Sequence, residues 1–89
     1  MMKTVQDYIN ALEFERTHIY LIGYGWAPVK LGNELRAGDK LRFNYGSTGV
    51  IKSITPSKSG KTAQMVVIEN GEEYSRRISM AAKYAVVRQ

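Results

Sequence analysis

Residues 62–79 read TAQMVVIENGEEYSRRIS, and this stretch decides the fold. Thr62 to Glu69 carries the apolar and β-branched residues that suit a pleated, half-buried strand. Asn70-Gly71 interrupts it, and both central positions of a type I′ turn need positive φ, which asparagine and glycine adopt most readily. Glu73 to Ser79 then reads as the return strand of a β-hairpin. The preceding segment repeats the plan. From Lys40, Leu41, Phe43 and Tyr45 alternate with Lys40, Arg42 and Asn44, and Gly46-Ser47-Thr48-Gly49 turns the chain into Val50-Ile51-Lys52-Ser53-Ile54. That pattern predicts a second hairpin. Pro56 to Lys61 (PSKSGK) is polar, basic and glycine-containing, as expected of an exposed connection.

Working outward, Thr4 and Asp7 have the spacing of a capping box, and Val5, Tyr8, Ile9 and Leu12 recur at helical spacing. The reading is an amphipathic helix over residues 4–15 laid against a sheet. His18-Ile19-Tyr20-Leu21-Ile22 reads as a buried strand. The turn formers from Gly23 through Gly38 then predict a long loop. Ser79 to Lys83 suggests a short helical turn and Tyr84 to Val87 a closing strand. The predicted class is mainly β with one N-terminal helix. Five or six short strands leave many unpaired edges, which a closed small barrel removes. The 89 residues allow a single domain, with the helix at 4–15 and the barrel at 18–89.

Composition is that of an ordinary globular chain, 44% hydrophobic and 24% charged. Without cysteine, neither disulfides nor a thiolate metal site can staple so small a fold, and a packed core or a partner subunit must hold it. A homo-oligomer is therefore expected. Asp7 and Asn10 interrupt the region where a signal peptide needs an apolar run, and no segment approaches the ~18 apolar residues of a membrane span. The expectation is a cytoplasmic protein with no membrane partner.

The net charge is +5, and its placement is informative. In residues 36–62, Arg36, Lys40, Arg42, Lys52, Lys58 and Lys61 face only Asp39, so this segment alone carries +5 and the flanking segments cancel. Phosphates are the natural partner of such a cluster.

Leu35-Arg36-Ala37-Gly38-Asp39-Lys40-Leu41 through Gly46-Ser47-Thr48-Gly49-Val50-Ile51 resembles the Gly-Asp, apolar-alternation, Gly-x-x-Gly-Val pattern of SH3-like barrels, notably the KOW type of ribosomal and transcription proteins. The resemblance implies an SH3-like barrel that touches RNA or protein through its loops. The chain is also similar to short proteins carried by phages and prophages, through Gly23-Tyr24-Gly25-Trp26 and the strand at residues 72–79. That likeness implies adhesion to a host component or to a host signalling nucleotide.

Catalytic and cofactor motifs do not assemble. Ser59-Gly60-Lys61-Thr62 lacks the first P-loop glycine, since position 55 is Thr55, and a strand follows where a helix is required. Gly23-x-Gly25 meets Pro28 where a dinucleotide fingerprint needs its third glycine. His18, the single histidine, makes a poor zinc site without cysteine. Glu72 and Glu73 are neighbours on a strand and face opposite ways, so they form no acid and base pair. The expectation is a non-enzymatic binder with no cofactor.

The candidate ligand-binding residues are Tyr24, Trp26, Arg42, Tyr45, Lys52, Lys58, Lys61, Arg76 and Arg77. The cations would form one basic barrel face for phosphate, and Tyr24, Trp26 or Tyr45 would stack on bases. Trp26 has a second reading, folding back to cap one end of the barrel. Arg76 and Arg77 point to opposite strand faces, so one of them at most joins Arg42 and Lys52. The partner is RNA, DNA or a small phosphate-bearing nucleotide. The alternative is a phage-encoded protein-interaction module that inhibits a host factor, with Trp26 and the strand edges as its contacts.

Overall fold

The computed structural model describes residues 5–88. A helix, α1 (Val5–Thr17), runs directly into β1 (His18–Leu21), and β2 (Gly25–Leu31), β3 (Lys40–Arg42), β4 (Thr48–Pro56), β5 (Thr62–Glu69), β6 (Glu72–Ser79) and β7 (Lys83–Ala85) follow. The class is as expected, mainly β with one helix. The seven strands form two sheets, ordered β1-β2-β7 and β3-β4-β5-β6, every named pair antiparallel. Among the described residues, one β-bridge, between Leu41 and Val86, links their strands.

This corrects the expectation of a closed barrel with five or six strands. β1 and β6 stand at the outer edges and do not pair with each other, so the two sheets meet along the Leu41–Val86 seam and diverge opposite it. The added strand is β2, which occupies part of the expected long loop. Ala27 and Val29 are buried on one face of it while Trp26 and Lys30 face away, so the period-2 pattern was present between the turn formers. Proline in a three-strand sheet's middle strand is unusual. Pro28 is tolerated because it lies at the end of the β2–β7 ladder, where only its carbonyl is used, accepting the Val86 N–H at 2.9 Å.

The second hairpin is as read, with Glu69 opposite Glu72 and positive φ at Asn70 and Gly71. The first is shorter than predicted. β3 stops at Arg42, and Asn44–Gly46 forms a single tight turn in which Tyr45 takes φ 65°, so Tyr45 leaves the face it would have shared with Leu41 and Phe43. Beyond β6, a turn at residues 80–82 replaces the predicted helical turn. It docks on the end of β2, where Gly32 and Asn33 donate to the carbonyls of Ala82 and Met80. A Cβ at Gly32 would lie 2.1 Å from the Ser79 carbonyl oxygen, so the approach requires glycine.

Most of the core lies under the four-stranded sheet: Leu35, Leu41, Ile51, Ala63, Met65, Val67, Ile78 and Val86, flanked by Phe43, Ile54, Met80 and Tyr84. The three-stranded sheet has a much smaller cluster of Leu21, Ala27 and Ala85 against Ile19. Asp39 pins the segment between β2 and β3, accepting from the Arg36 N–H at 2.9 Å and pairing with Lys30 at 3.1 Å. The Gly-Asp element of the sequence pattern is therefore a structural brace.

The helix does not lie across a sheet. Val5, Ile9 and Leu12, three positions of its apolar stripe, are exposed, and no residue separates Thr17 from His18 to turn the helix back. Its C-terminal turn is what docks: Phe14 stacks on His18 at 3.9 Å and meets Trp26 edge-on at 5.3 Å. The Thr4 cap lies outside the described residues. The molecule is elongated as a result, 46 × 31 × 21 Å.

Candidate ligand-binding cleft

Where the sheets diverge they leave a cleft of about 410 Å³. Ile19 and Leu21 of β1, Leu41 and Phe43 in and after β3, Met65 and Ile78 of the four-stranded sheet, and Tyr84 and Ala85 of β7 supply its apolar lining. Four cations border this apolar space, Arg42, Arg76, Arg77 and Lys83, against one carboxylate, Glu69. The volume falls in the lower part of the range for small-molecule pockets.

Register explains which side chains reach it. On β5, Ala63, Met65 and Val67 are buried, so their partners Ile78, Arg76 and Tyr74 on β6 share the inner face. Arg76 therefore stands beside buried Met65, with its guanidinium 5.4 Å from the Phe43 ring centroid. Arg77 lies opposite Gln64 on the outer face, yet it also borders the cleft, as well as a shallow depression near Thr55 and Pro56.

Arg42 is held in place by two turns. Its guanidinium lies 4.6 Å from the Tyr24 ring centroid and donates to the Gly46 carbonyl at 3.0 Å. The turns themselves are stitched together, since the Tyr45 N–H donates to the Ile22 carbonyl at 2.6 Å and the Ile22 N–H donates to Asn44 Oδ1 at 3.0 Å. The Tyr45 ring presses on Gly23, which has φ 73° and has no room for a Cβ. Such a cation–π contact contributes roughly 0.5–1 kcal/mol at an exposed site, enough to orient a guanidinium while leaving donors free. Lys83 donates to the carbonyl of Glu15 at 3.1 Å, tying the end of α1 to β7. Among the described residues the two ion pairs are Lys30–Asp39 and Lys52–Glu73, so none of the four cleft cations is paired with a carboxylate.

The other sequence candidates are dispersed, which corrects the expectation of one basic face. Lys52 occupies the irregularity between Ile51 and Ser53 on β4, on the outer side of the sheet, and is paired with Glu73. Lys58 and Lys61 lie in the connection between β4 and β5 and do not border the cleft. Tyr45 is exposed and supports Arg42 indirectly through the joined turns. Trp26 neither caps the core nor borders the cleft. It sits 51% exposed on the outer face of β2, edge-on to Tyr20 at 5.6 Å.

Phe43, Glu69, Lys83 and Tyr84 were not among the candidates. Phe43 was legible as an inward residue of its alternating strand, and Glu69 and Lys83 each begin or end a strand whose facing depends on three-dimensional closure. Among the described residues, no three His, Asp or Glu side chains converge as metal ligands would. Glu72 and Glu73 have separate partners. The Tyr74 hydroxyl donates to Glu72 at 2.6 Å, and this bond, together with the charge of Glu72, holds the phenol above its ordinary pKa. No family model, curated protein or solved structure matches the chain.

Proposed function

We propose that the protein is a non-enzymatic binder and that the cleft between its sheets takes a small phosphate-bearing ligand with a flat apolar group, of the nucleotide class. The observation that carries this reading is the set of four cations, unpaired with any carboxylate among the described residues, around an apolar cavity of about 410 Å³. Arg42 and Arg76 offer forked donors to phosphate oxygens, and Phe43 and Tyr84 offer ring faces to a base. A nucleotide fits better than a nucleic acid strand, because a strand needs a continuous basic track and Lys52, Lys58 and Lys61 lie apart from the cleft.

Calorimetric titration with ATP, a cyclic dinucleotide and a single-stranded RNA decamer, each at low and high salt, tests the proposal. The expected result is saturable nucleotide binding with shallow salt dependence. Binding confined to RNA, with affinity falling steeply as salt rises, would move the function to polymer recognition.

A second reading rests on a different surface. Phe14, Tyr20 and Trp26 form a half-exposed aromatic patch where α1 meets the outer face of β1 and β2, and such residues dominate protein-interface energetics. In this reading the protein is a phage-encoded module that blocks a host factor. Loss of one specific captured protein on Trp26→Ala, with nucleotide binding unchanged, is its signature.

A further inference from the structure

β6 is an edge strand, with eight residues paired to β5 on one side and no strand among the described residues on the other. Natural proteins usually protect an exposed edge of this length, often with charges that oppose pairing with a second copy. β6 instead carries both signs in order: Glu72, Glu73, Tyr74, Ser75, Arg76, Arg77.

The two-residue turn at Asn70-Gly71 makes Glu69 and Glu72 a hydrogen-bonded pair, so alternation directs the N–H and C=O groups of Glu72, Tyr74, Arg76 and Ile78 toward β5. Those of Glu73, Ser75, Arg77 and Ser79 point to the free edge. The Ser79 N–H does so visibly, donating away from β5 to the Tyr84 hydroxyl at 2.9 Å.

We propose that β6 pairs antiparallel with β6 of a second copy about a twofold axis at Ser75, joining the two four-stranded sheets into one. Paired residues share a sheet face, so a twofold perpendicular to the sheet must place one residue opposite itself. With Ser75 at that position, Glu73 lies opposite the partner's Arg77, and Arg77 opposite the partner's Glu73. Both pairs fall on the outer face, where Lys52 already holds Glu73, giving a Lys–Glu–Arg row on each side of the axis. On the inner face Tyr74 lies opposite the partner's Arg76, a cation–π pairing made twice. A twofold at Arg76 would set arginines against each other, and one at Tyr74 would leave Arg77 opposite the partner's Gly71. The Ser75 register alone gives every arginine and tyrosine of the strand's centre a complementary neighbour.

The test needs no ligand and so is independent of the cleft's function. Sedimentation velocity of the full chain should show a dimer that weakens as salt rises. Glu73→Arg makes the outer face of β6 wholly basic and Arg77→Glu makes it wholly acidic, so each variant alone sets like charges opposite one another. Each should raise the dimer dissociation constant about thirty-fold, two cross-strand attractions having become repulsions. An equimolar mixture of the two variants should restore a dimer of one chain of each kind, resolved by mass in native mass spectrometry. Both side chains are exposed, and an unchanged far-ultraviolet circular dichroism spectrum verifies the fold. Ser75→Pro removes the N–H at the axis without touching the β5 ladder and should abolish pairing. A wild-type chain that stays monomeric at millimolar concentration, or a dimer indifferent to both charge reversals, overturns the assignment.

Discussion

The two sheets differ in what holds them. The four-stranded sheet covers a core of eight buried residues, whereas the three-stranded sheet has Leu21, Ala27 and Ala85, two of them alanines. Hydrophobic stabilisation follows buried apolar area, at about 25 cal/mol per Å², so the first sheet is the scaffold and the second is attached to it. Attachment runs through a short set of links: the Leu41–Val86 bridge, the turn docked on Gly32, the Lys30–Asp39 pair, and the joined turns in which Ile22 bonds Tyr45 and Asn44 while Tyr24 meets Arg42. The cleft lies between a rigid wall and a lightly held one. A ligand contacting both would tighten their union, since binding to the folded state alone stabilises it.

The most damaging test of this asymmetry is truncation of each core in turn. Met65 is 1% exposed at the centre of the larger cluster, and Met65→Ala should cost about 4 kcal/mol, near the top of the range for such deletions. Leu21→Ala, at the rim of the smaller cluster, should cost about 2 kcal/mol. Urea unfolding of both variants measures the difference. Equal losses would mean that the sheets share one core.

Next in size is the split between cleft and periphery. Arg76→Ala should weaken nucleotide binding by about 2 kcal/mol, the range for a lost hydrogen bond to a charged group, or roughly thirty-fold. Lys58→Ala and Lys61→Ala should leave it within twofold at fixed salt. The same calorimetric titration reads all three, and equal effects would restore a single basic surface.

How far the sequence carried the reading differs by region for physical reasons. The hairpin at residues 62–79 was fully legible because Asn70-Gly71 fixes the turn and the turn fixes the register of both strands. β2 was missed because Gly23, Gly25, Pro28 and Gly32 are turn residues by local chemistry, and only pairing with β1 and β7 reveals that Ala27 and Val29 point inward. The opposite facing of Arg76 and Arg77 followed from strand alternation alone. That Arg42 joins Arg76 while Lys52 does not depends on an irregularity in β4 and on the packing of two turns, which no local pattern announces.

The attachment of the second sheet can be loosened without touching either core. Lys30 and Asp39 are both partly exposed, at 35% and 23%, so their pair is only moderately shielded. Lys30→Met keeps the stem and removes the charge, and should cost about 1 kcal/mol, screened further by salt. Hydrogen exchange is the decisive readout. Protection should fall at the amides of β2 and β7 and remain in β4 and β5, because a local link has been cut while the scaffold is intact.

The smallest effect concerns Tyr45, which holds the turn beside Arg42 at φ 65° although it is 77% exposed. A tyrosine pays roughly 1 kcal/mol to adopt that conformation, and asparagine adopts it more easily. Tyr45→Asn relieves that strain and keeps the N–H that donates to the Ile22 carbonyl, but gives up the ring packed on Gly23. The two terms nearly cancel, so thermal stability should change by less than about 0.5 kcal/mol. Nucleotide affinity should be preserved as well, because Arg42 is positioned by Tyr24 and the Gly46 carbonyl and does not touch the Tyr45 ring. A large loss of affinity at unchanged stability would show instead that Tyr45 meets the ligand directly, and would extend the binding surface from the cleft onto the joined turns.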